Sequence, residues 1–265
     1  MKKTVAAVIF LIILIIFYKF NPTELQTTTK QAQQGHAESQ YNLGVMYKTG
    51  KGVKQNSIQA KNWFEKAAEQ GYAESQYNLG VMYITGEAVD QDSIQAKSWF
   101  EKAAEQGCAA SQYSLGVIYK MGQGVEQDYA QAQGWFEKAA QQGYAEAQYG
   151  LGLMYEKGLG IDQDYTQAKS WYNKAAQQDH ASAQYHLGVI YKNGLGVDQD
   201  YMQARGWFEK AAKKIHAQAQ YNLGVMYKNG LGVRQSYDTS KEWFGKACDN
   251  GLQNGCDDYK DLNTR

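Results

Sequence analysis

Tryptophan occurs at Trp63, Trp99, Trp135, Trp171, Trp207 and Trp243, always 36 residues apart, and nowhere else in the chain. A glycine ladder keeps the same step at Gly44, Gly80, Gly116, Gly152, Gly188 and Gly224. A period between roughly 20 and 50 residues means stacked supersecondary units, each burying its apolar face against its neighbours. The period therefore decides the architecture before local propensity does. It also narrows the function, because a stacked array presents a surface rather than a reaction.

Each unit reads as two helices. In the first, Ala37, Gln40, Leu43, Gly44 and Tyr47 recur at spacings of three and four and share a face. Gly50, Gly86, Gly122, Gly158, Gly194 and Gly230 stand where a left-handed C-cap would end it. A loop follows with one inward apolar residue (Val53, Val89, Val125, Ile161, Val197, Val233). Asn56 with Gln59, repeated as Asp92 with Gln95 and onward, fits a capping-box variant that opens the second helix; the sixth unit departs with Ser236 and Thr239. Ala60, Trp63, Phe64, Ala67 and Ala68 give that helix its apolar stripe. A mid-helix glycine costs about 1 kcal/mol against alanine. Its recurrence implies close helix contact, with an aromatic ring from a neighbouring helix over the missing side chain. A buried tryptophan, worth up to about 4–6 kcal/mol, would outweigh that penalty.

These residues carry a resemblance. A-x-x-Q-Y-x-L-G-x-x-Y-x-x-G, then G-V-x-Q-D, then A-x-x-W-F-x-K-A-A is similar to the Sel-1-like repeat, a relative of the tetratricopeptide repeat. It covers about residues 35–261 in six copies without an insertion. Asp179 and Ile215 depart from the inter-unit glycine, and Ala88 from a loop glycine. The fold expected is all-α: a right-handed α-solenoid of stacked antiparallel helix pairs, preceded by an N-terminal transmembrane or signal-anchor helix. The resemblance implies a non-catalytic scaffold that binds a protein or peptide on its concave face, lined by the first helices.

Residues 1–20 are of another kind. Lys2 and Lys3 precede an apolar run from Val5 to Phe17, which reads as an export signal. Phe17-Tyr18-Lys19-Phe20 offers no small residues for cleavage, and Lys3 and Lys19 can snorkel at the ends of a short span. The expectation is an uncleaved anchor in a bacterial inner membrane, with Lys2 and Lys3 cytoplasmic and the repeats periplasmic. The alternative is secretion after cleavage. Residues 21–35 then read as a capping helix opened by Asn21, Pro22 and Glu24, with Thr27 and Thr28 in place of the Trp-Phe pair. Six repeats fill 36–251, and 252–265 form a C-terminal cap and tail.

Cys248 and Cys256 fall eight residues apart. The cysteine-rich secreted branch of the family has disulfides at that offset, so the resemblance implies a bridge here. It would contribute about 2.5 kcal/mol in the chain-entropy model; the alternative is two free buried thiols. Cys108 has no partner in sequence.

That branch also implies a second reading, a weak β-lactam-binding or peptidoglycan-interacting enzyme. Lys48-Thr49-Gly50 spells the K-T-G element, but the equivalent positions read Lys120-Met121-Gly122 and Lys192-Asn193-Gly194, a helix end. No serine is followed by lysine three positions on, as that chemistry requires. His36, His180, His186 and His216 make no metal-ligand spacing, and His180 and His216 fall in turns where solvated histidines are expected. No cofactor or metal is expected. With 27 Lys plus Arg against 27 Asp plus Glu, no basic stripe suits a nucleic acid.

A partner would be read by exposed positions that vary between repeats. The candidates are Asn42, Asn78, Ser114, Gly150, His186 and Asn222, one per first helix. Asparagine offers a donor and an acceptor to a peptide backbone. Gly150 would leave room for a bulky partner residue, and His186 would bring pH dependence.

Overall fold

Glycines at the ends of the first helices and short polar caps at the starts of the second cut the chain into helices of nearly equal length. The computed structural model describes residues 22–263. The expected anchor over 1–20 and the Asn21 cap lie outside the described residues. Within them there are fourteen helices and no strand, and no helix is long and apolar enough to cross a membrane.

The helices fall into two compact units. The first holds α1 (Pro22–Gln33), α2 (Ala37–Thr49), α3 (Ser57–Glu69), α4 (Ala73–Thr85), α5 (Ser93–Glu105) and α6 (Ala109–Met121). The second holds α7 (Tyr129–Gln141), α8 (Ala145–Lys157), α9 (Tyr165–Gln177), α10 (Ala181–Asn193), α11 (Tyr201–Lys213), α12 (Ala217–Asn229), α13 (Tyr237–Asp249) and α14 (Gln253–Asn263). In each unit successive helices pack as antiparallel pairs. Gln40 meets Gln70, Gly44 meets Phe64 and Tyr47 meets Asn56, so residue numbers fall on one helix as they rise on the other.

The caps explain the boundaries. Gly50, Gly86, Gly122, Gly158, Gly194 and Gly230 all take the left-handed conformation, with φ between 66° and 76°. Asn56, Asp92, Asp128, Asp164, Asp200 and Ser236 accept from the backbone N–H three residues on. The reciprocal arm of a capping box is not what holds the cap's own N–H. That group donates to a tyrosine carbonyl of the preceding helix: Asn56 to Tyr47 at 2.9 Å, Asp92 to Tyr83 at 3.0 Å, Asp200 to Tyr191 at 2.9 Å. The loop is thereby stitched at both ends. Its glutamine (Gln55, Gln91, Gln127, Gln163, Gln199, Gln235) donates to a carbonyl in the last turn of the first helix at 2.7–2.9 Å, satisfying a group that the helix leaves open.

The ring over each mid-helix glycine is not tryptophan. Phe64, Phe100, Tyr172, Phe208 and Phe244 lie over Gly44, Gly80, Gly152, Gly188 and Gly224, where an added Cβ would meet ring carbon at 2.4–2.6 Å. These rings are at most 2% exposed. The adjacent tryptophans are only partly buried, and each carries a lysine ammonium 3.7–4.2 Å over its ring, Lys66 on Trp63 through Lys246 on Trp243. Neighbouring positions on a helix point about 100° apart, so only one of the Trp-Phe pair can face the partner helix.

A buried glutamine ladder seals successive repeats. Gln40, Gln76, Gln148 and Gln220 each donate to a carbonyl eight residues back and accept from an amide thirty residues on, Gln70, Gln106, Gln178 and Asn250 respectively. Gln184 breaks the pattern, because Lys214 replaces the donor and its Oε1 is buried without a partner.

The departures from turn glycines keep glycine geometry: Ala88, Asp179 and Ile215 have φ of 60°, 66° and 63°. A β-branched residue held left-handed loses about 1–2 kcal/mol, and Ile215 is 66% exposed, so packing returns little. Ile215→Gly is expected to raise unfolding stability by about 1 kcal/mol in urea titrations. An unchanged midpoint would mean that the turn relaxes at no cost.

Candidate functional site

The expected reading positions do not stand free. Asn78, His186 and Asn222 each meet the residue thirty positions upstream, at the end of the first helix of the previous repeat. Lys48 Nζ donates to Asn78 Oδ1 at 3.0 Å, and Lys192 Nζ to Asn222 Oδ1 at 2.8 Å. Both asparagines also give their amide N–H to the carbonyl four residues back, Glu74 and Gln218, at 2.8 Å. A partner's backbone therefore finds these amides already engaged. Lys228 makes the same strap to Asp258 of α14, at 2.7 Å. Asn42 is exposed. Gly150 is buried, with the Phe136 ring 3.4 Å from where a Cβ would stand. The room it leaves is thus already occupied from inside.

Inside each unit one junction abandons the strap. In the first unit Ile84 replaces the lysine and Ser114 the asparagine, and together they line a pocket of about 220 Å³. Its other walls are Val81, Phe100, Tyr113, Val117, Ile118 and Gln123. The Ser114 hydroxyl turns back to the Ala110 carbonyl at 2.9 Å, so the lining stays apolar. Ala110, Ser114, Val117 and Met121 continue one stripe along α6 at helical spacing, and Met121 is 59% exposed.

In the second unit Glu156 replaces the lysine, His186 the asparagine, and Tyr172 the phenylalanine of α9. All three meet. The Tyr172 hydroxyl donates to Glu156 Oε2 at 2.6 Å, and His186 Nδ1 lies 2.8 Å from the same oxygen. With Nδ1–H toward the carboxylate, His186 Nε2 faces the Tyr149 hydroxyl at 3.4 Å. The Tyr172 and His186 rings stack 5.0 Å apart. Burial raises the Glu156 carboxyl, but the bonds from His186 and Tyr172 outweigh it and hold it below its ordinary value. Burial, then the bond to Glu156, pushes the Tyr172 hydroxyl far up.

His180 and His216 are not solvated turn residues. Their Nδ1 atoms cap α10 and α12 by accepting from Ala183 and Ala219 N–H, at 3.2 and 3.4 Å, and their rings stack on Tyr149 and Tyr185 at 4.6 and 4.7 Å. Burial depresses both imidazoles; Glu146 partly offsets this at His180, and His186 adds to it at both. A base whose folded pKa lies below its unfolded value of about 6.5 contributes stability above that pH and loses it as pH falls toward the folded pKa. Tyrosine fills the equivalent position at Tyr72 and Tyr144. Between pH 7 and about 5, His180→Tyr/His216→Tyr is expected to flatten the fall in melting temperature seen in the parent. Parallel curves would mean that the two rings do not titrate with folding.

The helix end that spells K-T-G is consumed structurally: Lys48 straps Asn78, Thr49 Oγ1 donates to the Val45 carbonyl at 2.8 Å, and Gly50 is the C-cap. A disulfide joins Cys248 of α13 to Cys256 of α14, with Cα atoms 4.6 Å apart; Cys108 is free. Among the described residues no group of three or more metal-binding side chains occurs.

Stacked helix pairs of 36 residues with these caps and junctions define one class of repeat protein. The Sel1 repeat model matches residues 37–72, 73–108, 109–144, 145–180, 181–216 and 217–252, and the chain belongs to the Sel1 repeat family. Proteins of this family are protein-interaction scaffolds. Among solved structures, the chain is similar to a protective antigen present in uropathogenic Escherichia coli strains, at 38% identity and a TM-score of 0.83. That match covers 87% of this chain but 50% of the antigen, so the chain spans half the antigen's length. A Sel1 repeat protein from Oxalobacter formigenes is 32% identical over 81% of this chain and 86% of its own, with a TM-score of 0.75. No curated protein matches the chain.

Proposed function

We propose that the chain is a non-catalytic scaffold of the bacterial cell envelope that holds a protein or peptide on the face lined by its first helices. The pocket at Ile84 and Ser114 carries this reading. The Lys48–Asn78 and Lys192–Asn222 junctions close the equivalent position with a polar strap. Here both strap residues are changed, and an apolar opening of about 220 Å³ remains. That is small against the roughly 300–1,000 Å³ of small-molecule sites, and suits a single side chain of a partner. The envelope assignment rests on the apolar run Val5–Phe17 behind Lys2 and Lys3, and the Cys248–Cys256 disulfide suits an oxidising compartment.

The test is photocrosslinking in intact cells from a probe at Met121, in the parent and in Ile84→Lys/Ser114→Asn. The double variant installs the chain's own strap and should keep its melting temperature while losing the adduct. An adduct of equal yield would move the partner surface elsewhere. Thiol reagents restricted to the periplasm should label the free, partly exposed Cys108 in intact cells; labelling only after lysis would remove the envelope assignment.

A further inference from the structure

The second unit contains one kind of junction three times, and the middle copy is incomplete. At the α8–α10 junction, His186 meets Glu156 at 2.8 Å and the Tyr149 hydroxyl at 3.4 Å. At Asp258 on α14, one carboxylate oxygen accepts from Lys228 Nζ at 2.7 Å and the other from the Tyr221 hydroxyl at 2.9 Å. A lysine and a tyrosine of the same first helix thus grip a carboxylate with both hands. One repeat earlier in sequence, the same two donors are Tyr185 and Lys192 of α10, and the gripped position is Asn222.

Asparagine completes only half of that grip. Its Oδ1 takes the Lys192 ammonium at 2.8 Å, while its Nδ2 turns to the Gln218 carbonyl at 2.8 Å. The Tyr185 hydroxyl has no acceptor among the described residues. Lys192 therefore faces a neutral amide where Lys228 faces a carboxylate. Its surroundings supply no substitute: Ser182 and Gln218 stand where Glu38, Glu74 and Glu146 stand on other first helices. Burial holds the Lys192 ammonium below its ordinary pKa, as expected of a half-buried cation without a counter-charge.

We propose that Lys192 and Tyr185 receive an aspartate or glutamate side-chain carboxylate of a protein partner. At Asp258 the equivalent tyrosine and lysine reach one carboxylate, and a charge-assisted pair of bonds is the strong kind. The inference rests on the scaffold reading. It adds a partner chemistry, an acidic side chain at the α10–α12 junction, that the apolar pocket of the first unit does not imply.

The experiment is an NMR titration of the intact protein at low ionic strength, observing the Lys192 side chain and the Tyr185 ring. The probes are N-acetyl-aspartate amide, N-acetyl-asparagine amide and N-acetyl-alanine, whose carboxylate is terminal. Saturable shifts with the aspartate amide and none with the asparagine amide are expected. Tyr185→Phe should weaken binding about tenfold, the scale of one hydrogen bond to a charged group, and Lys192→Met should abolish it. Asn222→Asp supplies an internal carboxylate, as Asp258 does for Lys228. It should abolish the response while leaving the melting temperature equal or higher. No saturable shift, or an undiminished shift in Asn222→Asp, would overturn the proposal. An equal response to N-acetyl-alanine would overturn the assignment to a side-chain carboxylate. The first-unit crosslink can fail while this titration succeeds, and the reverse, so the two readings fall separately.

Discussion

Phe208→Ala is expected to destabilise the second unit by about 3–5 kcal/mol, clearly more than Trp207→Ala at the next position. Phe208 is fully buried over Gly188, where an added Cβ would stand 2.5 Å from two ring carbons. Trp207 is partly buried and held from outside by Lys210, 4.0 Å over its ring. Gly188→Ala should itself be destabilising: helix propensity gains about 1 kcal/mol, but overpacking against a buried ring costs about 1–3 kcal/mol. In the double variant the methyl enters the space the ring leaves, so its loss should fall short of the sum. Denaturant unfolding of the four proteins measures the cycle. Strict additivity, or a larger loss at Trp207, would mean that the phenylalanine does not face the glycine.

This cycle also marks where the sequence stops being readable. The period, the left-handed glycines and the Asn, Asp and Ser caps are legible because each is a local backbone requirement met by few residue types. The inward aromatic is not, since Trp63 and Phe64 both fit a stripe with Ala60, Ala67 and Ala68, and tryptophan attracts attention as the larger ring. Gln40 and its equivalents read as part of a face but not as a ladder, because their partners lie eight residues back and thirty on. That offset of thirty was the missed signal. Ile84 changes together with Ser114, and Glu156 together with His186, so paired departures from the repeat point to contacts. Considered one column at a time, Asn42, Asn78 and Asn222 look like free readers; considered with Lys48 and Lys192, Asn78 and Asn222 become strap partners.

The pairing can be tested at its most altered junction. Glu156→Lys alone is expected to be severely destabilising. It places an ammonium where Oε2 now accepts from Tyr172 and His186, and it strands the hydroxyl of a tyrosine with no exposure. An unsatisfied buried donor costs about 1–3 kcal/mol, and His186 loses its partner as well. Adding Tyr172→Phe and His186→Asn rebuilds the Lys–Asn–Phe junction that the same unit shows at Lys192, Asn222 and Phe208. The triple variant should therefore recover most of the loss, and a triple no better than the single would refute the idea that these residues form one exchangeable set. The pH dependence gives a second handle. The Glu156 carboxyl has a folded pKa below its ordinary value near 4.5, so its contribution is present above that value and is lost as pH falls through the folded one. The parent should thus lose stability on acidification that the triple variant, carrying lysine at 156, retains. Thermal melts between pH 7 and about 3 would read that difference as a gap that opens only below about 4.5. It would assign that part of the acid response to one carboxylate bound between two repeats, apart from the fall that His180 and His216 cause at higher pH.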